Sequence, residues 1–200
     1  MAGSIHTTAR AYIDRMTELL RQVDAGAIEE YADMLFEAWK DDRQAFYFGN
    51  GGSASTASHH VLDIVRTAGV PGQRMLRAFC LNDNIGILTA EANDRNYASA
   101  FAMPLEAYSR EGDVVVAISA SGNSPNILAA CETAKERGLK VVALTGFTGG
   151  KVVALADLHI HVPSDNYGLV EDIHLSIGHM SAQMLKTRVQ EYMAVPEMVK

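Results

Sequence analysis

Two short turns carry the densest chemistry in this chain. The first, GNGGS at residues 49–53, offers Asn50, Gly51, Gly52 and Ser53; the second, SASGNS at residues 119–124, offers Ser119, Ser121 and Ser124. Each follows a short apolar run and opens a helical pattern. Glycine lets the backbone approach a ligand closely, and a helix N-terminus presents unpaired N–H groups and a dipole that favours an anion. Serines at helix starts also act as N-caps, and for Ser124 alone that reading suffices. Two such turns sharing serine hydroxyls point instead to one phosphorylated ligand gripped from both sides. Other phosphate motifs fail residue by residue. A dinucleotide fingerprint starting at Gly49 would need glycine at position 54, where Ala54 stands, and the GGK at 149–151 runs into Val152 rather than a hydroxyl residue.

A second constellation is split along the chain. His59 and Asp63 are four apart on the helix that follows the first turn, so they share a face. Far downstream, EDIHLSIGH places Glu171, His174 and His179 on a final helix. His59, Asp63, Glu171 and His179 would make a Zn²⁺ set, would do acid–base work without metal, or would simply form an ion-paired network; spacing alone favours the last. His60 and His174, taken singly, read as structural. His159 and His161 alternate on one strand with nothing else to support a site. Asn82–Asp83–Asn84 and Asn93–Asp94 are ordinary turn and cap residues that would line the same crevice if it lies there, with Asp94 binding sugar hydroxyls.

The elements that must position these groups alternate. Residues 5–20 and 27–39 read as two amphipathic helices. Apolar runs at 45–48, 77–81, 113–118, 140–145 and 158–162 then alternate with helical segments at 53–67, 84–92, 104–110, 125–137 and 150–156, and a last helix spans about 168–192. That rhythm predicts βαβ crossovers and an α/β fold: a five-stranded parallel sheet flanked by helices, with two N-terminal helices. Ligands of such sheets bind beyond the carboxyl ends of the strands, where both Ser/Gly turns fall. No linker divides the 200 residues. The chain therefore reads as a single domain, 1–200, with a helical arm at 1–43, an α/β core at 44–165 and a C-terminal helix at 166–200.

The totals exclude several classes. A net charge of -7 argues against general nucleic-acid binding. No apolar run approaches the ~20 residues that span a bilayer, and no secretory signal is visible. Cys80 and Cys131 read as buried thiols of a reducing compartment, so the expectation is a cytoplasmic protein.

Together, GNGGSA, ISASGNSPNIL, LTGFTGGKVVALAD and EDIHLSIGH resemble the sugar isomerase (SIS) domain family, and within it the phosphoheptose isomerases. The resemblance covers nearly the whole chain. It implies aldose–ketose isomerisation through an enediol, converting sedoheptulose 7-phosphate to D-glycero-D-manno-heptose 7-phosphate or a close relative, as in heptose supply for lipopolysaccharide or capsule. It further implies a homotetramer with active sites between subunits, and bound Zn²⁺. Under it, Ser53, Ser119, Ser121 and Ser124 contact phosphate and Asp94 the sugar. Asn50, Gly51 and Gly52 shape the approach, Glu171 falls on a zinc-binding glutamine that also faces the substrate, and His59 is a zinc ligand. Asp63 and His179 fall on residues both catalytic and metal-binding. Three positions depart from the family pattern. Asp63 is one methylene shorter than the family's glutamate, Glu171 adds a charge, and Gly168 replaces an aspartate facing the sugar, for which Asp165 or Asn166 would substitute. The alternative from another class is a non-catalytic phosphosugar-binding or regulatory SIS protein, of the kind that binds a replication initiator.

Overall fold

The structure is a computed structural model that describes residues 8–195. Part of the expected first helix, residues 5–7, lies outside the described residues. Five strands form one parallel sheet: β1 (Gln44–Gly49), β2 (Arg77–Cys80), β3 (Val114–Ser119), β4 (Lys140–Thr145) and β5 (Leu158–His161), in the spatial order β2-β1-β3-β4-β5. The strands are near-continuous apolar runs because helices cover both faces. Alternate residues sort between two cores. Tyr47, Val116 and Leu144 face one side, and Phe46, Phe48, Val115 and Val141 the other.

The first core lies under α1 (Ala9–Gln22), α2 (Ala25–Lys40), α3 (Gly52–Leu62) and α7 (Tyr167–Ala194). The second lies under α4 (Ile85–Asp94), α5 (Ala102–Tyr108) and α6 (Pro125–Glu136). The helix starts follow local chemistry: Asp24 accepts from the N–H groups of Gly26 and Ala27 to begin α2, and Pro125 sits in the first turn of α6. Two expected helices have different geometry. Residues 63–67 continue α3 as a π-helical turn, and Lys151–Leu155 is a 3₁₀ segment. Among the described residues, no helix is long and apolar enough to cross a membrane.

The chain order reverses between β1 and β3, and it is at the carboxyl edge of such a reversal that open parallel sheets bind ligands. Register pairs Gly49 with Ile118, so the first turn and the second leave the sheet side by side.

Candidate active site

The two turns are tied to one another. The Asn50 and Asn126 side-chain amides pair reciprocally, Asn50 Nδ2 donating at 2.9 Å and Asn126 Nδ2 returning a bond at 2.8 Å. Asn82 Oδ1 accepts from the Gly49 N–H at 3.2 Å while its Nδ2 donates to the Gly49 carbonyl at 2.9 Å. The second turn is backed by residues 149–152, with the Val152 N–H donating to the Gly122 carbonyl and the Lys151 N–H to Asn123 Oδ1. Gly122, at φ +61°, lies so close to the Gly149 carbonyl that any side chain would overlap it. Ser53 and Ser119 are buried, and Ser121 and Ser124 half-buried. Ser119 Oγ accepts from the Gly122 N–H at 3.1 Å and Ser121 Oγ from the Asn123 N–H at 3.3 Å. Ser124 sits at the α6 N-cap without making a side-chain capping bond, so the bland reading of that serine does not hold.

The second constellation converges. His59 and Asp63 from α3 and its π turn meet His179 from α7, with one ligand atom from each lying within 4.8 Å of the others. Asp63 Oδ2 is 2.7 Å from His179 Nδ1 and 3.6 Å from His59 Nε2, and the two rings are perpendicular with centroids 5.0 Å apart. Thr67 Oγ1 donates to Asp63 Oδ1 at 3.0 Å, which turns Oδ2 toward the histidines. Oδ2 is buried and forms no aligned hydrogen bond despite the nearby nitrogen. A buried oxygen and two imidazoles facing one point, unlinked by a proper hydrogen bond, suit a cation between them.

What brings α3 against α7 is the pair His60 and Gly178. The His60 ring fills the space a side chain at 178 would need, and His60 Nε2 lies 2.9 Å from the His174 carbonyl. Burial holds the imidazoles of His60 and His174 neutral, each with a pKa lowered to about 4. Both are structural, as their isolated positions in the sequence suggested.

Glu171 is not part of the triad. Its carboxylate packs against Gly52 at the start of α3, on the first turn rather than beside His179. Glu171 and His179 are two turns apart on α7, about 12 Å along the axis, and each side chain leans toward a different part of α3. Asp94 is exposed at the end of α4, accepting from Asn93 Nδ2 at 2.8 Å; the segment that follows reaches the first turn through the Tyr97 hydroxyl, which donates to Asn50 Oδ1 at 2.9 Å. Asn166 does not replace the missing side chain at 168, because its Oδ1 caps α7 by accepting from the Leu169 N–H. The space beside Gly168 belongs to Tyr12, whose hydroxyl donates to Asp172 Oδ2 at 2.6 Å. Burial and the Asp172 carboxylate push the Tyr12 pKa up to about 12. Cys80 and Cys131 are buried free thiols, raised to about 12 by burial and therefore inert.

A model of the SIS domain family matches residues 11–146. The chain belongs to that family. Over 186 residues, 93% of this chain and 96% of the relative, it is 36% identical to a phosphoheptose isomerase of Geobacter sp. (strain M21). It is also 39% identical over 158 residues to a lincomycin biosynthesis protein of Streptomyces lincolnensis, covering 74% of this chain and 58% of that one. Among solved structures, the phosphoheptose isomerase of Neisseria gonorrhoeae superposes with a TM-score of 0.82 at 29% identity, covering 89% of this chain and 94% of that one. The SIS fold therefore spans the twin turns and most of the helices around them.

Proposed function

We propose that this SIS protein is an aldose–ketose isomerase acting on sedoheptulose 7-phosphate to give D-glycero-D-manno-heptose 7-phosphate. The observation that carries the proposal is the convergence of His59, Asp63 and His179 from two helices, in a fold whose adjacent serine turns suit a dianion. The full-length similarity to phosphoheptose isomerases supports the substrate. Ser53, Ser119, Ser121 and Ser124, with the N–H groups of Gly51 and Gly52, hold the phosphate, and Asp94 orients the sugar hydroxyls. Asp63 takes the proton from the carbon next to the carbonyl, leaving an enediol(ate). His179 moves protons between the two oxygens, and the proton on Asp63 returns at the neighbouring carbon. The roles exchange with direction.

Zn²⁺ is proposed on His59, Asp63 and His179, where a bound cation would supply polarisation of the substrate oxygens. A cation would also lower the basicity of Asp63, so the two roles compete at that carboxylate. We read the chain as one domain and as a homotetramer; α1 exposes Ile13 (54%) and Leu20 (40%), apolar groups suited to burial against another copy. Sedimentation measurements test the assembly.

Proton exchange in D₂O, followed by NMR on sedoheptulose 7-phosphate, tests the chemistry. Asp63→Asn and His179→Ala should each lower kcat by about 10²- to 10⁴-fold, as expected for a lost general acid or base. Near-wild-type exchange in both would remove the mechanism. Absence of exchange with wild-type protein, together with binding of the sugar phosphate, would instead favour the regulatory alternative.

A further inference from the structure

Asn126 takes no direct part in the chemistry above, yet it is 2% exposed and sits in the first turn of α6, between the two phosphate-binding turns. A buried asparagine amide must be paired, and here the pairing is with one partner in particular. Its Oδ1 accepts from Asn50 Nδ2 and from the Ile127 N–H, and its Nδ2 donates to Asn50 Oδ1. Asn50 Oδ1 receives a second bond from the Tyr97 hydroxyl, so both of its lone pairs are occupied. One N–H of Asn50 remains. The network thus leaves the Asn50 side chain able to donate and unable to accept, which suits an oxyanion, a group with lone pairs and no proton to give. Asn82 holds the adjoining Gly49 backbone from the β2 side, so the first turn is strapped from both flanks.

We infer that Asn126 is a positioning residue for phosphate recognition: through Asn50 it sets the separation of the two serine turns and the donor-only state of the Asn50 amide, with Tyr97 as its auxiliary. The inference rests on the phosphosugar reading and deepens it. A dianion contacted from both turns is sensitive to their spacing, since a misplacement of ~1 Å can cost about a hundredfold in rate. A residue that merely filled the core would affect folding without separating binding from turnover.

The test uses the full chain, with KM, kcat and competitive inhibition by inorganic phosphate as readouts. For Asn126→Ala we expect KM for sedoheptulose 7-phosphate and the phosphate inhibition constant to rise together by about tenfold, with kcat falling by less than about threefold, the pattern of lost uniform binding. Tyr97→Phe, on an exposed segment, removes a single hydrogen bond and should move both constants the same way by about two- to fivefold. Because both act through Asn50, the double variant should fall short of the product of the single effects. Unchanged phosphate inhibition in Tyr97→Phe overturns the inference even if Asn126→Ala does not fold, and so does a loss confined to kcat in either variant. A wild-type protein that neither binds phosphate nor turns over the heptose phosphate removes the function and this inference together, whereas active wild type with indifferent variants removes the inference alone.

Discussion

His174 is fully buried on α7, and neither ring nitrogen makes a well-aligned hydrogen bond. Its folded pKa is lowered from 6.5 to about 4 by burial, partly offset by the Thr145 backbone. The unfolded chain therefore takes up a proton near pH 6.5 that the folded chain refuses until pH 4 is approached. This neutral histidine leaves stability intact above about pH 6.5 and erodes it as pH falls toward 4, by roughly 3 kcal/mol in all. Denaturant midpoints at pH 7.5 and 4.5, taken with chelator present, should show that loss; a His174→Phe variant that folds should show a smaller one. At this scale the sequence revealed residue types well and partners poorly. The serine and glycine turns were legible because their composition fits only a few backbone geometries. Asn126 was not, because its meaning lies in Asn50, 76 positions away. The position of Glu171 on the first turn, apart from His59, Asp63 and His179, was not legible for a related reason: spacing along a helix says which residues share a face, not which neighbour a long side chain leans toward.

At the scale of elements, the strands were readable to within a residue or so at each end, since short apolar runs buried on both faces leave little ambiguity. The π turn at Asp63–Thr67 was not readable. Asp63, Ile64, Val65 and Thr67 are weak helix formers, but weak propensity does not by itself specify a wider turn, and the contact this turn makes with α7 is not written in its own five residues. That turn has a function here, because it places Asp63 at the change of pitch, with Thr67 returning to hold Oδ1. The approach of α3 to α7 depends in turn on Gly178, whose lack of a side chain admits the His60 ring. Gly178→Val should force the helices apart and separate Asp63 from His179. The expected result is loss of isomerase activity by more than about a hundredfold, with far-UV circular dichroism retained; activity within threefold of wild type would show that the contact does not set the site.

For the whole molecule, the alternation of strands and helices gave the parallel sheet, and the position of the turns gave the edge at which a ligand would sit. Strand order was not predicted, although it is what brings the two turns together. Convergence of α3 with α7 was likewise invisible, because the two lie at opposite ends of the core in sequence. That separation has a mechanical consequence. An ion shared by His59, Asp63 and His179 would be a staple closing a loop of roughly 120 residues, and clips across long loops restrict the unfolded ensemble most. Loading with Zn²⁺ at about a hundred times its Kd should therefore strengthen the fold by about 2.7 kcal/mol. Stripping it with chelator should lower the melting temperature, and one equivalent should restore it; in His59→Ala the midpoint should no longer respond. The same three side chains that would turn over a sugar would then also decide how long the protein survives heat and proteolysis.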